Sequence, residues 1–195
     1  MQGVASQRSL FLLLTMLRYH PIRMERVEPM TEQLKPRTVA ESQSEMAEVV
    51  LPNDANPLGN LLGGRLMHFI DIAGAMACHR HARSYVVTAS MDHLDFLAPV
   101  HVGDLLILKS SVNRAFNTSM EVGVKVFVEN YITGASRHVS TAYLTFVAVD
   151  PQGRHLPVPA IIPETDEEKT RYEDAGRRRE ARKVEVQRKN ALKKA

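Results

Sequence analysis

A single carboxylate, Asp71, interrupts an apolar stretch of the chain and is the first residue whose position suggests catalysis. It stands between Ile70 and Ile72 in a segment that predicts a buried helix. Burying an ionised carboxylate costs free energy unless it is paired or hydrogen-bonded, so its position needs a reason. A structural reason remains open, because Arg65 and His68 precede Asp71 at helical spacing and could form a narrow solvated stripe with it.

A pair of glycines, Gly63 and Gly64, stands directly before this predicted helix. Glycines at a helix N-terminus let a ligand approach free backbone N–H groups, where the helix dipole favours negative charge. A carbonyl oxygen that becomes an oxyanion would suit such a place, although many Gly-Gly pairs are only turns. The spacing matches neither a phosphate-binding loop nor a dinucleotide fingerprint. Asn56 lies in the preceding segment 54–57, where an Asn before Pro is typical of a turn.

Other kinds of chemistry have little support. His79 and His81 are two residues apart on the predicted helix, so they point in nearly opposite directions and cannot share a metal ion unaided. Cys78 is the one cysteine, which excludes an intrachain disulfide and favours a small buried thiol in a reducing compartment, the cytoplasm by default. Without a Gly-x-Ser-x-Gly motif, an α/β-hydrolase nucleophile has no support. We therefore expect no metal and no separate cofactor.

The elements that must position these residues follow from hydrophobic periodicity. The segment 65–83 is apolar nearly all round, which predicts a long buried helix. Residues 118–129 alternate between apolar and polar side chains, which predicts a half-buried strand. Further strands are predicted at 46–50, 85–96, 105–112 and 136–149. One long helix followed by consecutive strands predicts the α+β class, with an antiparallel sheet wrapped around the helix.

Composition and charge set the domain organisation. With 195 residues, 44% hydrophobic and 24% charged, the chain is typical of a soluble globular protein. Its net charge of +3 comes from its ends, and basic tails are more often solvated than binding surfaces. We expect an N-terminal extension at 1–42, disordered or derived from a mis-assigned start. A catalytic domain follows at 43–162, and a charged helix at 163–195, where acids precede bases as the helix dipole favours.

Several motifs together resemble the hotdog-fold acyl-CoA thioesterases, also called acyl-CoA hydrolases. The resemblance covers about residues 45–162. It is carried by DANPLGNLLGGRLMHFID at 54–71, VVTASMDHLDFLAPVHVGD at 86–104, TSMEV at 118–122 and TAYLTFVAV at 141–149. It implies a helix wrapped by an antiparallel sheet and dimers that pair their sheets edge to edge. It also implies a homodimer that assembles further, to a hexamer or a tetramer.

The resemblance further implies which residues act. Asp71 would be the general base and Asn56 would orient the water or the thioester, the two meeting across the dimer interface. Gly64 would stabilise the oxyanion. Family members often carry Gly-Arg before the Thr-Ser pair, where the basic residue can help with the phosphates of coenzyme A, but here Phe116 and Asn117 stand there. The expected substrate-binding residues are Gly63, Thr88, Ala89, Asn117, Thr118 and Ser119.

Two other functions remain open from the sequence. A hotdog enoyl-CoA hydratase or dehydratase would use a histidine with an acid on the helix, and His68 lies one turn from Asp71. A non-catalytic acyl-CoA-binding regulator could use the basic tail to bind nucleic acid. The tail has no interleaved aromatic residues and no helix-turn-helix pattern, so we expect neither a nucleic-acid nor a membrane partner.

Overall fold

The structure follows the order of elements that the periodicity predicts, with short additions at both ends. The computed structural model describes residues 34–192, except for the side chains of residues 93 and 190. Its strands are β1 (Arg37–Thr38), β2 (Ser44–Val49), β3 (Tyr85–Phe96), β4 (Leu105–Ala115), β5 (Ser119–Glu129), β6 (Ser136–Val149) and β7 (Ile161–Ile162). Its helices are α1 (Val39–Ser42), a 3-10 turn (Pro52–Asp54), α2 (Gly63–Ala82) and α3 (Asp166–Leu192).

Five of these strands form one antiparallel sheet in the order β2-β4-β5-β6-β3. The predicted alternation in β5 is confirmed, because Met120, Val122 and Val124 are fully buried on the face that packs against α2. The short strands β1 and β7 pair separately and in parallel. The α+β class, with a helix wrapped by an antiparallel sheet, is therefore confirmed.

Helix α2 lies against the inner face of the sheet and carries Asp71. Its buried residues include Phe69, Ile70 and Ala77. At Gly74 an added Cβ would lie 2.9 Å from the ring of Phe146, so only glycine allows the helix to approach the sheet this closely. Compared with the predicted 65–83, the helix begins two residues earlier because both glycines adopt helical geometry, and it ends at Ala82.

Helix α3 lies against the opposite face of the sheet, where the sequence alone predicts a solvated helix. The guanidinium of Arg178 donates two hydrogen bonds to Glu121, of 2.6 Å from Nη2 and 3.2 Å from Nε. It also stacks on the ring of Tyr143, 3.8 Å from its centroid. Arg182 pairs with Asp92 on β3. Glu121 is completely buried beneath the helix, so α3 is part of the packed domain.

We expect Arg178→Ala to lower the free energy of unfolding by about 3–5 kcal/mol, since it leaves the buried carboxylate of Glu121 without its cation. The matched control is Arg177→Ala one residue earlier, where an exposed pair with Asp174 contributes about 1 kcal/mol or less. Urea unfolding of both variants measures the difference. Equal losses would contradict the anchoring role of the Arg178–Glu121 pair.

Residues 37–42 also pack on the domain. Val39 and Ser42 are buried, and the guanidinium of Arg37 donates to the carbonyl of His81 at the end of α2. The predicted extension 1–42 therefore includes six residues with defined packing. Residues 1–33 of that extension lie outside the described residues, and the expectation of disorder or a mis-assigned start stays a prediction there. Within residues 34–192, no helix is long and apolar enough to cross a membrane.

Candidate active site

The loop before α2 holds Asn56 in a defined turn. Its side-chain Oδ1 accepts hydrogen bonds from the backbone N–H of Leu58 at 2.9 Å and of Asn60 at 3.2 Å. Its backbone N–H donates to the carbonyl of Asn60 at 2.8 Å. The turn predicted at Asn56 is thus present, and it uses the carbonyl oxygen of the side chain. The amide NH2 group of the side chain is then left as the donor that can face a ligand.

Asp54 fastens this loop to the first turn of α2. Its buried carboxylate accepts a 2.7 Å bond from Nε of Arg65 and a 3.2 Å bond from the N–H of Leu51. Its backbone carbonyl accepts from the N–H of Leu62, the residue before the helix. The position of Asn56, two residues later, is therefore fixed relative to the start of α2.

Asp71 is partly exposed on α2 and is held by a residue of β3. The hydroxyl of Thr88 donates to Oδ1 of Asp71 at 2.6 Å. This bond occupies only one of the two carboxylate oxygens of Asp71. The other oxygen, Oδ2, has no protein donor among the described residues. His68 is exposed on the same side of the helix, and the side chain of Arg65 is turned to Asp54. Asp71 is thus oriented by the sheet rather than by the cations of a solvated stripe.

The start of α2 presents unpaired backbone donors. Leu62, the N-cap residue, provides no side-chain cap, and its carbonyl accepts from the N–H groups of Arg65 and Leu66. No carbonyl of the described residues accepts from the N–H of Gly63 or Gly64. A Cβ at Gly63 would lie 3.3 Å from Phe96, whereas one at Gly64 would meet nothing within 4 Å. An anion can therefore approach Gly64 directly.

The remaining predicted binding residues fall into two places. Thr88 and Ala89 lie on the edge strand β3, and the pairing of β3 with β6 shifts between Thr88 and Ser90, so Ala89 is left outside the ladder. Of the others, Asn117 and Thr118 lie in the turn between β4 and β5, and Ser119 is the first residue of β5. The carbonyl of Asn117 accepts from Val158, that of Thr118 from Ala148, and that of Ser119 from Phe116.

The structure therefore brings some of these residues together and keeps others apart. Asp71 is hydrogen-bonded to Thr88. Asn56 and Gly64 lie in the loop and the first turn of α2, which Asp54 holds together. Asn56 and Asp71 form no hydrogen bond with each other within the described chain. The bond from Thr88 to Asp71 was not foreseen, because a threonine in a Val-rich strand is ordinary and carries no signal of its own.

His79, His81 and Cys78, near the end of α2, have structural contacts. The imidazole Nε2 of His81 bonds the carbonyl of Pro159 at 2.9 Å, and His79 contacts the carbonyl of Ser84. Burial raises the pKa of the Cys78 thiol well above its usual value, which makes a reactive thiolate unfavourable. No group of three potential metal ligands from His, Cys, Asp and Glu occurs within residues 34–192.

The buried His81 gives a testable pH dependence. Burial lowers the pKa of His81 in the folded protein by more than the hydrogen bond to Pro159 raises it, and the smaller effects of Arg37 and Glu41 oppose each other. The unfolded imidazole, with a pKa of about 6.5, therefore binds protons more readily, and stability must fall as the pH drops below that value. We expect the free energy of unfolding of His81→Gln, measured by urea titration, to fall less between pH 7.5 and pH 5.5 than that of the parent protein. The exposed His155→Gln is the control, and identical pH profiles for the two variants would be inconsistent with a buried neutral His81.

Comparisons with known proteins agree with this architecture. The family model of the thioesterase superfamily matches residues 58–135, which contain α2 and the strands β3, β4 and β5. An uncharacterized acyl-CoA thioester hydrolase of Bacillus subtilis is 40% identical over 156 residues, which are 80% of this chain and 91% of that protein. The chain is a member of the hotdog-fold acyl-CoA thioesterase family.

Solved members of the thioesterase family have the same fold. An acyl-CoA hydrolase from Staphylococcus aureus, in complex with butyryl coenzyme A, coenzyme A and coenzyme A disulfide, superposes with a TM-score of 0.75 at 36% identity. The alignment covers 81% of this chain and 98% of that one. A hexameric acyl-CoA thioesterase solved in its apo form has a TM-score of 0.74 at 41% identity, over 77% of this chain and 97% of its own. The family and fold that the motifs predict are thereby confirmed.

Proposed function

We propose that this protein hydrolyses acyl-CoA thioesters to the free acid and coenzyme A, with Asp71 as general base and Asn56 of the partner subunit as its companion. The observation that carries the proposal is the partly exposed carboxylate of Asp71, held through one oxygen by Thr88. The other oxygen is left to take a proton. Homologues named as acyl-CoA thioester hydrolases support the reaction class.

Work on one relative supports the choice of residues. The solved structures of the Staphylococcus aureus acyl-CoA hydrolase include single variants in which an asparagine, an aspartate and a threonine are each replaced by alanine. Those three residues are 15 and 17 positions apart, and Asn56, Asp71 and Thr88 have the same separations here. The variant at the asparagine was solved with coenzyme A.

The chemistry needs three contributions from the chain. Asp71 Oδ2 takes a proton from a water molecule as that water attacks the thioester carbonyl. The N–H of Gly64 donates to the oxyanion, aided by the positive end of the α2 dipole. Asn56 donates from its side-chain amide NH2 group to the water or the carbonyl. Collapse of the intermediate breaks the C–S bond, and the thiolate leaves with little acid assistance, so the proposed mechanism uses neither a metal nor a cofactor.

The edge of the sheet supports a dimer as the working unit. Strand β3 is twelve residues long, and one side of its backbone pairs with no described strand. Tyr85, Val87 and Phe96 are about half exposed along it, and Met67 and Ile72 are exposed on the neighbouring helix. Long apolar edges are rarely left open. We infer that two protomers pair through β3, which brings Asn56 of one chain to Asp71 of the other.

Higher assembly and location are part of the same proposal. Solved relatives are described as hexameric, including a thioesterase from Yersinia pestis at 30% identity. Of the hexamer and the tetramer that the motifs allow, the hexamer is the better supported. Light scattering of the purified protein measures the assembly directly. We place the protein in the cytoplasm, as its single cysteine suggests.

A panel of acyl-CoA substrates from acetyl to palmitoyl tests the proposed activity. The purified protein is assayed for release of free thiol, with Asp71→Ala as the matched inactive control. We expect thiol release from at least one chain length and little from the variant. Hydration of an enoyl-CoA without thiol release would contradict the proposal and favour the hydratase alternative. Binding of acyl-CoA without turnover would favour the regulator.

A further inference from the structure

A basic cleft lies where α3 passes the turn between β4 and β5. It has a volume of about 700 Å³ and is continuous with the predicted binding residue Asn117. Four cationic side chains line it against two carboxylates, so it carries net positive charge. The charged groups are Arg114, Arg177, Arg179, Lys183, Glu173 and Glu180.

Arg179 is one of two guanidinium groups in this cleft, with Arg114, that form no ion pair with a carboxylate among the described residues. Its guanidinium stacks on the ring of Phe116, 3.8 Å from the centroid, and its Nη1 lies 3.5 Å from the hydroxyl of Ser119. By contrast, Arg177 and Lys183 pair with acids three residues away on the same helix. Stacking fixes the plane of the Arg179 guanidinium while leaving its other donors for a ligand.

Arg114 extends the same positive surface from the sheet side. Its Nη1 donates to the carbonyl of Tyr172 at 3.3 Å, and the guanidinium lies 4.2 Å from the Tyr172 ring centroid. It packs so tightly against Gly176 that a Cβ there would collide with it. Its buried Nε has no hydrogen-bond acceptor among the described residues. The cleft thus contains a second guanidinium whose donors are not all satisfied.

The strand register links this cleft to Asp71. Ser119 on β5 is paired with Val147 on β6, and Val147 is paired with Val87 on β3. Val87 precedes Thr88, the residue that holds Asp71. Two strand spacings are about 10 Å, so the cleft lies at the same end of the sheet as Thr88, on the face covered by α3, whereas Asp71 lies on the face covered by α2.

We propose that this cleft binds the nucleotide phosphates of the acyl-CoA substrate, with Arg179 of α3 as the main ligand and Arg114 beside it. The proposal rests on the proposed function. A thioester and the phosphates lie at opposite ends of acyl-CoA, joined by the long pantetheine arm, so the two ends need separate binding groups. Planar guanidinium groups match the phosphate oxygens with two donors at once. Helix α3 would thereby supply the charge that Asn117 in the turn lacks.

The test compares each acyl-CoA with the acyl-pantetheine that has the same acyl group but no phosphate. We expect Arg179→Met, which keeps an apolar contact with Phe116, to lower kcat/KM for acyl-CoA relative to kcat/KM for acyl-pantetheine by about 10-fold or more. The change should come mainly from a higher KM for acyl-CoA. Arg179→Lys retains the positive charge, so this ratio should fall less than in Arg179→Met. Arg188→Met, an exposed arginine further along α3, is the matched control and should keep the parental ratio.

A binding measurement separates this inference from the proposed activity. Titration calorimetry with adenosine 3′,5′-bisphosphate and with ADP reports phosphate binding even if no thioester is hydrolysed. We expect Arg179→Met to raise the Kd of the bisphosphate by about 10-fold, while the circular dichroism spectrum stays unchanged. An unaltered Kd and an unaltered substrate ratio would overturn the cleft assignment. A different result would overturn the proposed function instead. In that case the parent protein hydrolyses neither substrate, but it binds the bisphosphate in a way that depends on Arg179.

Discussion

Asp71→Asn is expected to lower kcat for acyl-CoA hydrolysis by at least about 100-fold, the usual scale for removing a general base. Asparagine has nearly the same shape, and its carbonyl oxygen can still accept the 2.6 Å bond from Thr88. The variant therefore loses the ability to take a proton without losing its place on α2. Thiol release under substrate saturation measures the change.

Two further variants show whether the loss is chemical. Asp166→Asn makes the same substitution on a fully exposed carboxylate of α3 and should leave kcat within about twofold of the parent. Thr88→Val removes the hydroxyl that orients Asp71. It should lower kcat by less than Asp71→Asn does, because the base remains. Asp71→Asn activity within threefold of the parent, in a folded protein, would reject Asp71 as the base.

The main elements of the fold could be predicted because their hydrophobic periodicity is clean. In β5 the alternation of Met120, Val122 and Val124 with polar residues gives a period of two, and the buried helix α2 is apolar on most sides. The order of strands in the sheet could not be obtained from such patterns, because pairing joins residues far apart in sequence. The resemblance to a known family implied an antiparallel sheet around the helix, and the strand order comes from the structure.

The packing of α3 shows what periodicity misses. Its gradient from acids to bases predicts a helix but does not say which face is covered, and Glu121 looks like an outward polar residue of β5. In the fold, that outward face is covered by Arg178. The same limit applies to the candidate site. Asp71 and Gly64 have local signals, whereas the role of Thr88 and the basic cleft at Arg179 depend on contacts between distant segments.

The second large effect is expected when two inactive variants are mixed. Asn56→Ala removes the amide NH2 donor, and Asp71→Ala removes the base, so each homodimer should be nearly inactive. If each site takes Asn56 from one chain and Asp71 from the other, a mixed dimer has one site with both defects and one site with neither. Random pairing makes about half of the dimers mixed, so activity should recover to about a quarter of the parental value.

The mixing experiment needs proof that subunits exchange and that the variants fold. Native mass spectrometry of isotope-labelled chains reports exchange, and circular dichroism reports folding. The Asn56→Asp variant is a useful companion, since its carboxylate can still accept from the N–H groups of Leu58 and Asn60 and so preserve the turn. Recovery with either Asn56 variant then reflects the site rather than repair of a damaged loop.

The central claim is that Asn56 and Asp71 of two subunits form one thioesterase site, and the most direct measurement is the rate of thiol release from the exchanged Asn56→Ala and Asp71→Ala mixture. The claim predicts recovery from near zero to about 25% of the parental rate per subunit. Full exchange without recovery would contradict it, because every site would then contain one defect, as expected if both residues came from the same chain.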